Sequence, residues 1–339
     1  MKAEGKVSKK ANGTSKRPVD ISGEQVEASN TSDDNIMGRA KQDPAAVSLQ
    51  KRSQAAVKLL RRAGVPDDLD WVVPEATQGY EGMGTTSNSG QVHPYRFTKS
   101  MARLAEEAGV KIITEARVTS INSSTTRDRV PPGQRQSTLG SITYRSSGGQ
   151  LHELPASHAV LAAGPWTQRL LPSAPISGLR AHSVTIRPSR PVSAYALFTS
   201  ITLPGGKAHA APEIYARPDA EIYACGEGDT LVPLPETTED VVVDQSRCDT
   251  IVEQVGHVSE ELRDGEVTAR QACYLPVCEG SGGPYIGEVR EMKGLILAAG
   301  HSCWGIQNGP ATGKLVSEIV MDGKAKSAKL GKLDPMVSL

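Results

Sequence analysis

The sequence lacks several features that would place a protein in a broad class at once. It has no excess of charge of either sign, since 38 basic residues balance 38 acidic ones, and this argues against a nucleic-acid binder. No apolar run approaches the roughly 18–20 residues that a membrane-spanning helix needs, so we expect no membrane span. The five cysteines all lie between residues 225 and 303, and their odd number favours reduced thiols over a secreted disulfide framework.

Targeting signals are also missing from the sequence. Residues 1–20 are polar and Lys-rich without the apolar core of a secretory signal. The final residues, MVSL, are not of the peroxisomal S-K-L type. We therefore expect a cytoplasmic protein.

The N-terminal part of the chain is polar and poor in apolar periodicity. Residues 1–50 have too little apolar surface to offset their ordering entropy, so a disordered tail is predicted there. The following pattern predicts a short helix over 45–63, which Gly64 and Pro66 end.

A helix and a strand are predicted after residue 90. Phe97, Met101, Leu104 and Ala105 recur at helical spacing, and Gly109 is placed to end the helix. Residues 110–118 then read as a strand, and residues 122–150 as a loop or a poorly fixed hairpin. A helix followed by a strand is the ordinary unit of an α/β layer.

Two short apolar runs end in the same way, with Ala-Ala-Gly. Residues 159–163 lead to Gly164, and residues 294–299 lead to Gly300. A continuous apolar run of this kind predicts a strand buried on both faces. We expect the two strands to lie side by side or nearly so.

The residues between these runs predict an antiparallel layer. Strands are expected over 182–187 and 193–199, and the repeated EIYA at 213–216 and 221–224 around Pro218 and Asp219 predicts a β-hairpin. A helix is predicted over 237–263, starting at a Thr-Thr-Glu-Asp capping sequence.

The segment 298–320 reads as a strand, a glycine-rich turn and a helix that begins near Gly309 and Pro310. Proline is favoured in the first turn of a helix, and the free amides of that turn can hold a partial negative charge. A reduced flavin carries such a charge at its pyrimidine edge. The alternative is that the glycines only permit tight packing, and the spacing alone leaves both open.

Four separated motifs resemble the D-amino-acid-oxidase superfamily of FAD-dependent oxidoreductases, in the expected order and over about residues 70–325. AAGHSCWGIQNGPATGKLVSE is similar to the flavin-contacting C-terminal segment of its fungal branch, and VLAAGPWTQRLL to its second FAD-contacting strand. GQVHPYRFTKSMARLAEEAGVKI resembles the helix before the adenosine-side strand, and RQACYLPVCEGSGGPYIGE the return from the substrate domain.

The resemblance implies an α/β fold, in which a Rossmann-like FAD-binding layer is interrupted by an antiparallel-sheet substrate domain. The organisation expected from it is a polar tail (1–50), a partial FAD-binding domain (51–175), the substrate domain (176–285), a return to the FAD-binding domain (286–325) and a second tail (326–339). It also implies oxidation of a small amine or amino acid by hydride transfer to flavin N5, with no residue that stands out as a catalytic acid or base.

The resemblance further implies a set of cofactor contacts. The adenine would meet the backbone of Val118, and the other contacts would come from the two glycine-ended segments. The residues implied there are Ala163, Gly164, Trp166, Gly300, His301, Trp304, Gly305, Ile306 and Gln307, with Gln307 near the pyrimidine edge. Some members bind the flavin covalently through a cysteine in the segment that matches 270–276, which makes Cys273 the candidate here. A small interior thiol is the other interpretation of Cys273.

The departure from the family pattern concerns the phosphate site. The family opens with a strand, a G-x-G-x-x-G turn and a helix that hold the FAD diphosphate, and the glycines before residue 70 do not have that spacing. Two explanations compete: a truncated gene product, which we favour, or a divergent member that no longer binds FAD. The second leads to an alternative function, a flavin-free remnant that acts as a binding or scaffold protein.

Three other residues are weaker candidates for the substrate site. His93 precedes a proline at a strand–helix turn, His182 lies in a strand of the antiparallel layer, and Arg270 could pair with a substrate carboxylate through its fork of donors. Each also fits an ordinary structural or surface role.

A metal site and a serine-hydrolase site are not expected. The cysteines and histidine between residues 273 and 303 match no zinc pattern, and no G-x-S-x-G elbow is present.

Overall fold

The computed structural model describes residues 53–124, 137–203, 206, 209–280 and 283–338. The tail predicted over 1–50 lies outside these residues, as do the first residues of the helix predicted over 45–63 and the middle of the loop predicted over 122–150.

Seven α-helices are present in the described part of the chain. They are α1 (Gln54–Arg62), α2 (Pro94–Glu107), α3 (Thr167–Leu170), α4 (Gln245–Val258), α5 (Glu260–Arg263), α6 (Gly305–Asp322) and α7 (Pro335–Ser338). Three 3₁₀ helices accompany them, at Gly164–Trp166, Ser302–Trp304 and Gly331–Leu333.

The strands of the described residues form four sheets. In chain order they are β1 (Arg117–Ser124), β2 (Ser137–Arg145), β3 (Leu151–Pro155), β4 (Ala159–Leu161), β5 (Ile176–Arg187), β6 (Ala196–Phe198), β7 (Ile201–Thr202), β8 (His209–Ala210), β9 (Glu213–Arg217), β10 (Glu221–Asp229), β11 (Glu266–Cys278), β12 (Tyr285–Glu288), β13 (Met292–Lys293) and β14 (Leu295–Ala299). The sheet orders are β1-β2-β13 with β3 beside β2, β11-β5-β10-β9-β6, β12-β14-β4 and β7-β8.

The two glycine-ended strands are direct neighbours, as predicted. β14 pairs with β4 in parallel, with Leu295 opposite Ala159 and Leu297 opposite Leu161. The leucines of this pair are buried in a common apolar core. The expectation that both strands are covered on both faces is wrong for β4, because Val160 is 44% exposed.

The antiparallel layer is built around the predicted hairpin. β9 and β10 pair with Tyr215 opposite Tyr223, while Ile214 and Ile222 point to the opposite face. That face packs on α4 through a core that includes Ile251. Alternation along the strands thus separates an apolar inner face from an outer face that carries the tyrosines.

The helix predicted over 237–263 is shorter in the structure. It begins only at Gln245, because the Asp244 side chain accepts hydrogen bonds from the amides of Ser246 (3.0 Å) and Arg247 (3.4 Å). A side-chain oxygen in this position satisfies the free amides of the first turn and so fixes the start of a helix. Residues 237–243 form no helix, and an extended Ser259 separates α4 from α5.

The strand predicted over 110–118 is wrong for most of its length. Regular pairing begins at Arg117, where β1 meets β2, and residues 110–116 pair with no described strand. Glu115 has a positive φ of 51°, which interrupts an extended run. Of the loop or poorly fixed hairpin predicted over 122–150, the described residues agree with the hairpin, because the end of β1 pairs antiparallel with β2.

Candidate functional site

The turn after β14 forces the chain into a conformation that suits glycine. Gly300 has a φ of +91°, and a Cβ at this position would collide with the Sγ of Cys278. The chain then forms a single 3₁₀ turn and enters α6 at Gly305, four residues before the predicted start. Pro310 therefore lies inside the helix rather than in its first turn.

His301 ties this turn to its surroundings. Its Nε2 lies 2.9 Å from Thr312 Oγ1, one residue of α6, and its backbone bridges to Val277 of β11. Burial lowers the pKa of the imidazole below its usual value. The turn is thus fixed between the last strand of the antiparallel layer and the following helix.

The N-terminal half of α6 is open. Trp304 is 54% exposed and Ile306 39% exposed, and Gln307 is exposed as well. Gly305 and Gly309 have no atom within 3.4 Å of the place where a Cβ would be. An uncovered first turn offers free N–H groups and a positive helix end to a ligand.

A cavity of about 830 Å³ lies between β1 and β4. Three of the predicted cofactor residues line it: Val118, Ala163 and Trp166. The wall is mostly apolar and includes Val160 of β4 and Ile142 of β2. Gly164 starts the 3₁₀ turn next to it with a φ of +54°, and its carbonyl accepts a hydrogen bond from Thr167 Oγ1 at 2.7 Å.

The lining of this cavity also includes charged side chains that the sequence analysis did not predict. Glu236 contacts Arg117 and lies 3.1 Å from Arg169, and Arg145 completes the lining. Trp166 Nε1 donates to the carbonyl of Pro235 at 2.8 Å, so the loop before α4 is held at the cavity. Arg117 and Arg169 lie close in sequence to the predicted residues Val118 and Trp166, so the sequence could have suggested them. No local pattern points to Glu236.

Apart from Cys273 on β11, the predicted cofactor residues form two groups. One lines the cavity and the other surrounds the start of α6, and the lining of the cavity includes no residue of 300–307. Except for Val118, which lies on β1, the residues of both groups follow β4 or β14, and these parallel strands end at the same edge of their sheet. In open α/β sheets, ligands bind in the crevice outside this edge.

Comparison with known proteins decides the family. The model of the DAO family, described as FAD dependent oxidoreductase, matches residues 34–319. The chain belongs to this family. Its predicted α/β fold and its predicted resemblance to the D-amino-acid-oxidase superfamily are thereby confirmed.

Two yeast relatives support the assignment. The chain is 39% identical over 307 residues to "Putative oxidoreductase TDA3" of Saccharomyces cerevisiae, which covers 84% of this chain and 58% of that protein. It is 38% identical over 280 residues to "Putative oxidoreductase C1F5.03c" of Schizosaccharomyces pombe, which covers 81% of this chain and 71% of that protein. The match thus spans little more than half the length of TDA3.

Solved structures with the same fold include glycine oxidase from Geobacillus kaustophilus, with 22% identity, a TM-score of 0.54 and coverage of 71% of this chain and 57% of that chain. Iminodiacetate oxidase from Chelativorans sp. BNC1 gives 17% identity and a TM-score of 0.52, over 72% of this chain and 59% of the other. Both show the architecture of an FAD-dependent oxidase.

The DAO family implies FAD, and the described residues fit two of its parts. The open first turn of α6, with exposed side chains at Trp304 and Ile306, suits the electron-rich edge of a flavin ring, because the N-terminus of a helix favours negative charge. The apolar cavity beside Val118 suits an aromatic base. No G-x-G-x-x-G stretch for the diphosphate occurs in the 339 residues.

The structure places His182 away from both groups. It is fully buried on the inner face of β5, and its Nε2 accepts a hydrogen bond from the amide of Asp244 at 3.0 Å. Its Nδ1 lies 3.8 Å from Asp229 and is without a hydrogen-bond partner among the described residues. Burial lowers its pKa, and the nearby Arg180 lowers it further. His182 therefore helps to fix the start of α4.

The other three candidates lie on or near the antiparallel layer. His93 precedes α2 and lies 3.8 Å from Glu221 of the hairpin. Arg270 donates to Asp249 of α4 at 2.8 Å, which is an ordinary partly exposed pair. Cys273 is exposed on β11, and so it is not the interior thiol of the second interpretation.

The described residues hold no metal site and no membrane-spanning helix. No group of three or more His, Cys, Asp or Glu side chains is arranged to hold a metal ion. None of the described helices has the length and apolar character needed to cross a bilayer.

Proposed function

We propose that this chain is the substrate layer and part of the cofactor layer of an FAD-dependent oxidase of small amines or amino acids. The observation that carries the proposal is the parallel pairing of β4 with β14. It brings the turn at Gly164 and the turn at Gly300 to one edge of a sheet, next to the open end of α6.

In this proposal, residues 300–307 hold the flavin ring, and Val118, Ala163, Gly164 and Trp166 hold the adenosine side. Bound FAD would supply the hydride acceptor, while the protein orients the substrate and shapes the polarity around the ring. Cys273 is kept as a candidate for covalent attachment, because its thiol is exposed on the strand that reaches His301. The domain boundaries given above are part of the same proposal.

The neighbouring proteins support the substrate class. The solved structures are named as oxidases of glycine and of iminodiacetate, and both of these molecules are small amino acids. The expected cytoplasmic location and the expected truncation stay predictions.

Flavin binding tests the proposal. The purified chain is titrated with FAD and freed of excess by gel filtration, and its visible absorbance is recorded. We expect flavin bands that co-elute with the protein and shift relative to those of free FAD. A colourless protein after this treatment would contradict the proposal and would favour the flavin-free scaffold instead.

A further inference from the structure

The outer face of the five-stranded sheet carries a compact set of aromatic and polar side chains. By the strand register, Phe198 lies opposite Glu213 and Glu213 lies opposite Cys225, while Tyr215 lies opposite Tyr223. These residues alternate with the apolar residues of the inner face. We call the five the outer-face cluster.

Glu213 is a half-buried carboxylate that forms no ion pair with any of the described residues. It accepts a hydrogen bond from the Tyr215 hydroxyl at 2.6 Å and a long one from the Cys225 thiol at 3.9 Å. The described residues provide it with no ion pair, although nearby Glu221 has one, with Arg217 at 3.0 Å. A partly desolvated carboxylate is costly unless a charge of opposite sign pairs with it.

Neither of the two hydrogen-bond donors, Tyr215 and Cys225, carries a positive charge that could balance the Glu213 carboxylate. Burial is the main cause that raises the pKa of Tyr215 well above its usual value, and it raises the pKa of Cys225 to about 12. The Glu213 carboxylate is the second cause in both cases. Both groups therefore stay neutral donors at physiological pH.

Aromatic rings border the carboxylate. The rings of Phe198 and Tyr215 meet edge to face with centroids 6.0 Å apart, and those of Tyr215 and Tyr223 are also 6.0 Å apart. Phe198 is 53% exposed, so this side of the cluster is open to solvent. Aromatic faces attract ammonium groups through their ring quadrupole.

One ring of the outer-face cluster, Tyr223, already contacts a positively charged side chain of the protein itself. The Arg217 guanidinium lies 4.3 Å from the centroid of the Tyr223 ring, and its charge is paired with Glu221. Along β9 the order is Glu213, Tyr215, Arg217, so the arginine and the unpaired carboxylate lie on opposite sides of Tyr215. Within the described part of the chain, Arg217 therefore has an ion-pair partner and Glu213 has none.

The outer face also continues to the turn that we assign to the flavin ring. Cys273 and Val277 are four residues apart on β11, and because side chains alternate between the two faces of a strand, they lie on the same face. Val277 is bridged to His301. A molecule held on this face would thus lie on the layer that adjoins the proposed cofactor segment.

We propose that Glu213, together with the rings of Phe198 and Tyr215, binds the ammonium group of the substrate. The assignment of this site to the substrate rests on the proposed oxidase function. The ability of the site to bind a cation does not depend on that function. The carboxylate repels a second carboxylate, so the site selects amines without an acid group beside the nitrogen over α-amino acids.

Calorimetric titration of the whole chain with choline, a trimethylammonium alcohol, tests the site. Its uncharged carbon analogue, 3,3-dimethylbutan-1-ol, has nearly the same shape and serves as the paired probe. We expect choline to bind saturably and the analogue to bind at least about tenfold more weakly, since one charge-assisted contact is worth about 1.4 kcal/mol or more.

The variant Glu213→Gln keeps an acceptor for the Tyr215 hydroxyl and removes the charge. It should weaken choline binding by about tenfold or more, whereas Glu227→Gln, which changes an exposed charge on β10, should leave it unchanged. Phe198→Leu provides a second variant if Glu213→Gln fails to fold, and it should weaken binding severalfold.

Three results would each overturn the inference. In the first, Glu213→Gln binds choline as tightly as wild type does; in the second, wild type binds the uncharged analogue as tightly as choline; in the third, choline shows no saturable binding. Flavin content is recorded for every sample. If choline binding depends on Glu213 but no sample takes up FAD, the cation site stands and the oxidase function fails; if FAD binds but choline binding does not depend on Glu213, the reverse holds.

Discussion

Leu297 of β14 pairs in parallel with Leu161 of β4. Each strand runs on for a few residues into a glycine with positive φ, Gly300 and Gly164. Because the strands are parallel, both turns lie at one edge of the sheet. This relationship places the two segments of proposed cofactor residues that follow β4 and β14 at the same edge of the sheet.

The turn at Gly300 should tolerate no other residue. Its φ of +91° and the collision of a Cβ with Cys278 predict that Gly300→Ala lowers the free energy of unfolding by about 2 kcal/mol or more. Gly309→Ala is the control, since its position in α6 is open; it should raise stability by about 0.5–1 kcal/mol. Urea unfolding measures both, and an equal effect of the two changes would show that the turn is misplaced.

The buried pair of Arg180 and Asp229 should matter far more than the surface pair of Arg270 and Asp249. The first has a separation of 3.2 Å with both side chains nearly inaccessible, and the second has one of 2.8 Å with both partly exposed. Asp229→Asn should cost about 3–5 kcal/mol, because it leaves a buried guanidinium unpaired. Asp249→Asn should change stability by less than about 0.5 kcal/mol. Comparable losses would contradict the burial of the first pair.

Stability should fall as the solution is acidified below about pH 6.5, the usual pKa of histidine. The pKa of His182 is lowered in the folded protein, chiefly by burial, so the unfolded chain binds the proton more readily and acid favours unfolding. Protonated Nε2 can also no longer accept from the Asp244 amide. His301, whose pKa burial also lowers, acts in the same direction.

His182→Gln isolates this contribution. The loss of unfolding free energy between about pH 7.5 and about pH 5 should be smaller in His182→Gln than in wild type. The same change at His257, an exposed position of α4, should leave the pH dependence as it is. If His182→Gln keeps the full pH dependence, the buried imidazole does not control it.

Local sequence predicts the parts of this fold whose partners are close in the chain. The hairpin at 213–224 needs only a turn and alternation, and it forms as predicted. The sequence predicts a strand over 110–118, but no described strand pairs with residues 110–116, and Val110 is 54% exposed. Pattern alone does not tell whether a pairing partner exists.

The candidate site likewise contains some residues that the local sequence predicts and others that only the tertiary structure brings to it. Glycine-ended strands are visible in the sequence, and their pairing follows from the α/β pattern. Glu236 reaches the cavity through contacts with Arg117 and Arg169 over more than 60 residues of chain, and Glu213 joins Phe198 only through strand register. Such convergence depends on tertiary structure, and no local motif marks it.

The most direct test of the account compares FAD binding by two glycine variants of α6. Gly305 and Gly313 both have room for a side chain, so Gly305→Leu and Gly313→Leu should both fold. We predict that Gly305→Leu loses FAD while Gly313→Leu, two helical turns farther on, retains it. Undiminished FAD binding by Gly305→Leu would contradict the placement of the flavin ring at the start of this helix.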